Sequence, residues 1–227
     1  MFPRLALLCI LSVSQSAQSN QEIEITAEPH HHLALKNAYV RVFKVEVPPN
    51  DSTLMHRHRH DYLFVIIGPT EVENDVAGRP PVTIKFQDGE VQFTPGGFAH
   101  VARNLALTPF RNVTVELMGK ARPAKWDEDR GLQVLQNGTQ HVLFVKDGAR
   151  VSDIELQPAG VLPRHTHSGP HLVIAVTDLA LRNATAGKKA ANVALKAGDV
   201  QWVPAGATHS VTNVGPGKAR WIAVEFH

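Results

Sequence analysis

The sequence offers one cysteine in 227 residues, and that residue, Cys9, lies in a leader expected to be removed. The mature chain then has no thiol. It tolerates an oxidising compartment, and disulfides contribute nothing to its stability. Aromatic residues make up only 6%, too few for a base-stacking platform. No run of one charge sign breaks the near balance of 23 basic and 21 acidic residues, so neither nucleic acid nor an anionic membrane surface is an expected partner. The pI near 8.8 is a mild bias. No apolar run approaches the ~20 residues that cross a bilayer, and no useful stretch carries a 3.6-residue apolar stripe.

What is present begins with the leader. Residues 1–19 place Arg4 before an apolar stretch over 5–13 and end on Ala17-Gln18-Ser19, small residues where a signal peptidase reads. Cleavage before Asn20 is expected, giving a periplasmic or secreted protein with no membrane span after removal. Leu8 ahead of Cys9 argues against a lipoprotein site.

An internal repeat organises the remainder. An offset of 109 aligns 32–116 with 141–225 without a gap, and 21 of the 85 pairs are identical. Arg41 meets Arg150, Glu46 meets Glu155, Asn74 meets Asn183, Gly89 meets Gly198 and Asn104 meets Asn213. Arg111 and Glu116 meet Arg220 and Glu225. The chain divides accordingly into a tail (20–31), a unit over 32–118, a linker over 119–131 holding Pro123, and a unit over 132–227. Short stretches rich in Val, Ile and Phe, punctuated by Pro, Gly, Asn and Asp, predict strands over 40–47, 62–67, 82–86, 91–94 and 111–117. Their counterparts are 151–156, 171–176, 193–195, 200–203 and 220–226. The class is all-β, with each half an antiparallel sandwich or barrel such as a jelly roll.

Histidines sit at repeated places. His56-Arg57-His58 precedes Tyr62 and later His100; His165-Thr166-His167 precedes His171 and later His209. Residues two apart on a strand share a face, roughly 6.6 Å apart along the chain. Two imidazoles so placed, joined by a third from a strand beyond a Pro-Gly turn, can converge on one metal ion. Gly89, Gly97, Gly198 and Gly206 supply turn geometry. His60 reads as a rim residue, and His30-His31-His32 as a solvated tract of the tail. The matched charges Arg41/Arg150, Glu46/Glu155 and Arg111/Arg220 with Glu116/Glu225, near strand ends, read as ion pairs between strands or modules.

Each half resembles the cupin family, recognised by His-x-His-x3-Glu on one strand and Gly-x5-Pro-x4-His on another. The second element reads Gly89 through Pro95 to His100, and Gly198 through Pro204 to His209. The resemblance covers nearly all of the mature chain. It implies two tandem antiparallel jelly-roll barrels, a metal site on His56, His58 and His100, and a second on His165, His167 and His209. The ion it implies is a divalent transition metal: Fe, Mn, Cu, Ni or Zn. Cupins often associate through sheet faces, which implies a homo-oligomer. The family's glutamate position holds Tyr62 in one half and His171 in the other, each an additional ligand or a pocket wall. Asp61, beside Tyr62, reaches inward only through a bulge. Without a carboxylate ligand the ion keeps its full charge, which favours an anionic or oxygenated small molecule. The expectation is a metal-dependent, dioxygenase-like oxidoreductase; the alternative is a non-catalytic binder of metal or small ligand in the periplasm.

Overall fold

The computed structural model describes residues 22–119, 126, 131–146 and 148–227. The expected leader, with Cys9, and most of the expected linker lie outside the described residues. The first half runs β1 Ile23–Glu24, a 3-10 turn Ile25–Ala27, β2 His31–Lys36, β3 Val40–Val47, β4 His56–His58 and β5 Tyr62–Ile66. It continues through β6 Thr70–Val76, β7 Val82–Phe86, β8 Val91–Thr94, β9 Phe98–Asn104 and β10 Phe110–Leu117. The second half runs β11 Gly131–Lys146, β12 Ala149–Thr166, β13 His171–Ala175, β14 Leu179–Thr185, β15 Ala191–Leu195, β16 Val200–Val203, β17 Thr208–Asn213 and β18 Ala219–Phe226. No helix among the described residues is long and apolar enough to cross a membrane.

The first half folds two five-stranded sheets over each other, in the orders β1-β4-β9-β6-β7 and β2-β3-β10-β5-β8. The second half repeats both orders within one sheet, save that no described strand takes the place of β1, because β12 is long enough to pair with β18 along its first part and with β17 along its last. The register repeats residue for residue. His56 faces His100 as His165 faces His209. Arg41 faces Glu116 as Arg150 faces Glu225. The fold is thus a pair of antiparallel jelly-roll barrels, as the duplication implied.

Alternation explains where the core sits. On β10, Asn112 and Thr114 line the interior of the first barrel, while Val113 and Val115 between them face away. On β13, His171 and Val173 look inward, and Leu172 and Ile174 outward. The outward residues of β3, β5, β10, β12, β13 and β18 meet in one apolar cluster drawn from both halves. These strands bury both faces, which is why they read as near-continuous apolar runs. Fully burying each such Val, Leu or Ile stabilises the pairing by about 1.5–3 kcal/mol. At the margins, Arg111 donates to Ala197 O and Arg220 to Asp88 O, both at 2.9 Å. Positions 88 and 197 differ by the repeat offset, so the two contacts are reciprocal. Gly89 and Gly198 adopt φ of 72° and 88° at these turns.

Two expectations need correction. The stretch 20–31 is not a solvated tail over its described part: Ile25 is 1% and Glu28 2% exposed, and β1 pairs in parallel with β4. Polar composition hid this because Glu28, Glu22 and Glu24 all have partners on the barrel. Strands also form over β6, β9, β14 and β17. β6 reads Thr-Glu-Val-Glu-Asn-Asp-Val and turns its acids toward solvent, leaving few apolar residues to signal it.

Candidate metal centre

In the second barrel, β12 delivers His165 and His167, and β17 delivers His209. His165 Nε2 lies 2.9 Å from His167 Nε2, which lies 3.1 Å from His209 Nε2. Each ring's other nitrogen faces an acceptor. His165 Nδ1 donates to Pro163 O at 2.7 Å, His167 Nδ1 to Glu225 Oε1 at 2.5 Å, and His209 Nδ1 to Asn183 Oδ1 at 3.0 Å. These acceptors place the protons on Nδ1 and leave three Nε2 lone pairs facing one another. Such an arrangement is repulsive alone and is relieved by a cation between the rings. Nitrogens sharing an ion at ~2.0–2.1 Å sit roughly 3 Å apart, so the donor set fits a divalent transition ion.

The first barrel repeats the frame with changes. His56 Nε2 lies 3.2 Å from His58 Nε2, and His56 Nδ1 donates to Leu54 O at 2.8 Å. The His100 ring centre lies 4.6 Å from His56 and 5.2 Å from His58, the same separations His209 keeps from His165 and His167. His100 Nδ1 bonds Asn74 Oδ1 at 2.7 Å. His58 Nδ1 and His100 Nε2 are buried with no hydrogen-bond partner. A further residue joins them. His31 offers a ligand atom within 4.8 Å of those of His56 and His58, and His100, expected as the third ligand, lies outside that group of three. The sequence reading missed it by assigning 30–32 to the tail. The signal available was position: His31 lies opposite Val45 as Gln140 lies opposite Ile154, one repeat apart.

Tyr62 stacks on His58 at 4.0 Å and His171 on His167 at 3.9 Å. Stacked rings lie face to face; both residues line their cavities, and neither belongs to a convergent histidine group. Asp61 does not bulge inward; its Oδ1 accepts the Gly96 N–H. His60 has no place in either histidine group. Glu116 and Glu225 accept from Arg41 and Arg150 respectively, across neighbouring strands, and of the two only Glu225 also reaches a histidine.

Burial sets the electrostatics. It holds His56 down at about 4, helped by His31, and His100 down at about 3. His58 is pushed far below the usual imidazole range by burial and by its histidine neighbours. In the second barrel burial holds His209 at about 4 and His171 at about 3, and lowers His165. Burial alone would raise the Glu225 carboxyl, yet His167 and Arg150 outweigh it and hold Glu225 at about 2. His56, His58, His100, His165, His171 and His209 are therefore neutral near pH 7, the form that ligates metal.

The cavities differ in character. The first, about 260 Å³, is lined by Phe64, Phe86, Phe98 and Phe110 around its histidines and contains no Asp, Glu, Lys or Arg among its described lining. The second, about 280 Å³, adds Gln133, Gln140, Arg150, Ser152 and Glu225.

Residues 152–225 match the family model described as the cupin domain. That match spans about a third of the chain. In solved structures the likeness of fold extends over both halves. AerE from Microcystis aeruginosa superposes with a TM-score of 0.60 at 10% identity, covering 88% of this chain and 98% of that one. Oxalate decarboxylase from Bacillus subtilis at pH 4.6 superposes with a TM-score of 0.60 at 12% identity, covering 83% and 68%. A second structure of that decarboxylase, concerned with its Mn(II) centres, gives 0.61 at 11% identity, covering 90% and 76%. At such identities the likeness shows the cupin fold. No curated protein matches the sequence significantly.

Proposed function

We propose that this protein is an exported, metal-dependent enzyme of dioxygenase-like type, acting on a small oxygenated or anionic molecule in the second barrel. The observation that carries it is the convergence of the His165, His167 and His209 Nε2 atoms, each ring oriented from behind by its own acceptor. An ion held there by His165, His167 and His209 would supply Lewis-acid or redox chemistry. The rest falls to the chain. Glu225 fixes the His167 ring and offsets part of the ion's charge. Arg150, paired with Glu225, keeps a positive group in the cavity lining. Ser152 Oγ and His171 Nδ1 are buried without partners at this cavity, which gives an oxygenated substrate two hydrogen-bonding positions. Val173, Leu162 and Trp221 provide apolar wall that limits water.

The test begins with metal content of the purified chain. Turnover is then assayed across phenols, diketones, hydroxy acids and oxalate, with oxygen consumption followed; Mn(II) and oxalate merit early trial given the decarboxylase. Turnover should vanish in His209→Ala and survive in His100→Ala. Firm metal binding with no turnover on any class would reject the enzymatic reading.

A second reading, a non-catalytic binder, is favoured for the first barrel by its uncharged, Phe-lined cavity. Metal retention there without any dependence of turnover on His100 would bear it out.

A further inference from the structure

The two halves differ at one repeated position beside the histidines, which holds His31 in the first and Gln140 in the second. We infer that His31 is the fourth imidazole of a four-histidine site with His56, His58 and His100, selective for a nitrogen-seeking divalent ion, and that this ion locks the N-terminal strands onto the barrel. The inference rests on the reading that each barrel holds an ion.

Orientation comes first. His31 Nδ1 donates to Glu28 Oε2 at 2.5 Å, which turns Nε2 away from Glu28. The His31 ring centre lies 4.6 Å from His56 and 6.1 Å from His58. Glu28 is itself fixed, since Oε1 accepts the Leu54 N–H at 3.1 Å and Oε2 the His30 N–H at 2.9 Å. A carboxylate behind a ligating histidine sets its tautomer and raises its basicity.

Charge comes second. Glu28 is 2% exposed, and burial alone would raise its carboxyl, but its donors hold it below the ordinary range. A buried carboxylate is costly without a charged partner, and a dication across the imidazole supplies one. The second barrel meets the same need differently, with Glu225 behind His167. Each site therefore has one carboxylate in its outer layer, behind a different histidine. The orphaned His100 Nε2 is an independent sign of an absent electrophile. Four imidazoles favour Zn, Ni, Cu or Fe over Mn, Mg or Ca.

The lock follows from connectivity. Ile23 pairs with His56 and Glu24 with Arg57, while Glu22 and Glu24 form ion pairs with Arg57 and Arg59. An ion bridging His31 on β2 to His56 and His58 on β4 joins strands of the two separate sheets.

The experiment titrates Co(II) into the metal-stripped full chain by calorimetry and visible absorption, and follows amide hydrogen exchange over 22–36. His31→Gln copies the residue the second half already carries. It should weaken one of two sites by at least about tenfold, change that site's cobalt spectrum, and abolish metal-induced protection of 22–36. Glu28→Gln should do the same to a lesser degree, and Gln140→His should strengthen the other site. Two cobalt sites unchanged in His31→Gln, or weakened equally by both His31→Gln and Glu28→Gln, would overturn the inference while leaving metal binding intact. Failure of the wild-type chain to bind cobalt would remove the proposed function with it.

Discussion

His167 Nδ1 donates to Glu225 Oε1 at 2.5 Å, whereas at the equivalent place in the first barrel His58 Nδ1 and Glu116 Oε1 are both buried and unpaired. The backbone register around the two pairs is the same, since Tyr62 faces Glu116 as His171 faces Glu225. One frame thus presents one histidine with a carboxylate behind it and one without.

Glu225→Gln keeps the shape and removes the charge behind His167. Metal affinity of the second site should fall about 10–100-fold, as for other carboxylates behind ligating histidines. Glu116→Gln should leave the first site's affinity within about threefold, because no histidine depends on it. Competition with a chelator measures both.

The metal-free protein should lose stability in mild acid. His56 and His209 are held at about 4, and His100 and His171 at about 3, by burial. Unfolding returns these rings to an ordinary value near ~6.5. The unfolded chain therefore binds more protons between those limits. The contribution of these rings is complete above about pH 6.5 and is lost as pH falls toward about 3–4. Urea midpoints should drop steadily across that window. A bound ion should be released over the same range, since protons compete for its ligands.

Gly89→Ala tests the contact between the barrels. At φ 72° an alanine is strained by about 1–2 kcal/mol. Its Cβ would also stand 2.6 Å from the Arg220 guanidinium, displacing the bond to Asp88 O. The combined loss should be about 2–3 kcal/mol. Leu172→Ala, fully buried in the shared cluster, should cost about 2–5 kcal/mol. Chemical denaturation reads both, and either variant remaining as stable as wild type would contradict the packing described.

Asn104 is fully buried and donates to Val47 O, Pro48 O and Thr108 O, while its Oδ1 accepts the Ala106 N–H. Asn213 repeats the arrangement with Leu156 O, Gly217 O and the Gly215 N–H. Asn104→Ala leaves buried carbonyls unpaired and should lower stability by about 2–4 kcal/mol. Asn104→Asp should not restore it, because a carboxylate supplies no N–H.

Much of this was legible in the residues. The 109-residue offset carried the duplication into the strand register, and the pairs His56/His100 and His165/His209 do meet across adjacent strands. The stacking of Tyr62 and His171 was not legible, because parity shows which face a ring takes and not how it tilts. His31 stayed hidden for a different reason. The identical pair His32 and His141 drew attention to the neighbouring position, yet both of those rings are exposed. The buried position holds His31 in one half and Gln140 in the other, so identity between halves passed over the place where they diverge. Polar composition around Glu28 looked like tail because a satisfied buried carboxylate and a solvated one are the same letter.

The reciprocal arginines bear on how such a chain arises. When the same residue of each half reaches the same spot on the other, the arrangement is what two identical subunits make about a two-fold axis. Fusing them into one polypeptide fixes their stoichiometry and frees each chamber to drift chemically while the partnership holds. An uncharged aromatic chamber beside a polar one is the outcome of that freedom.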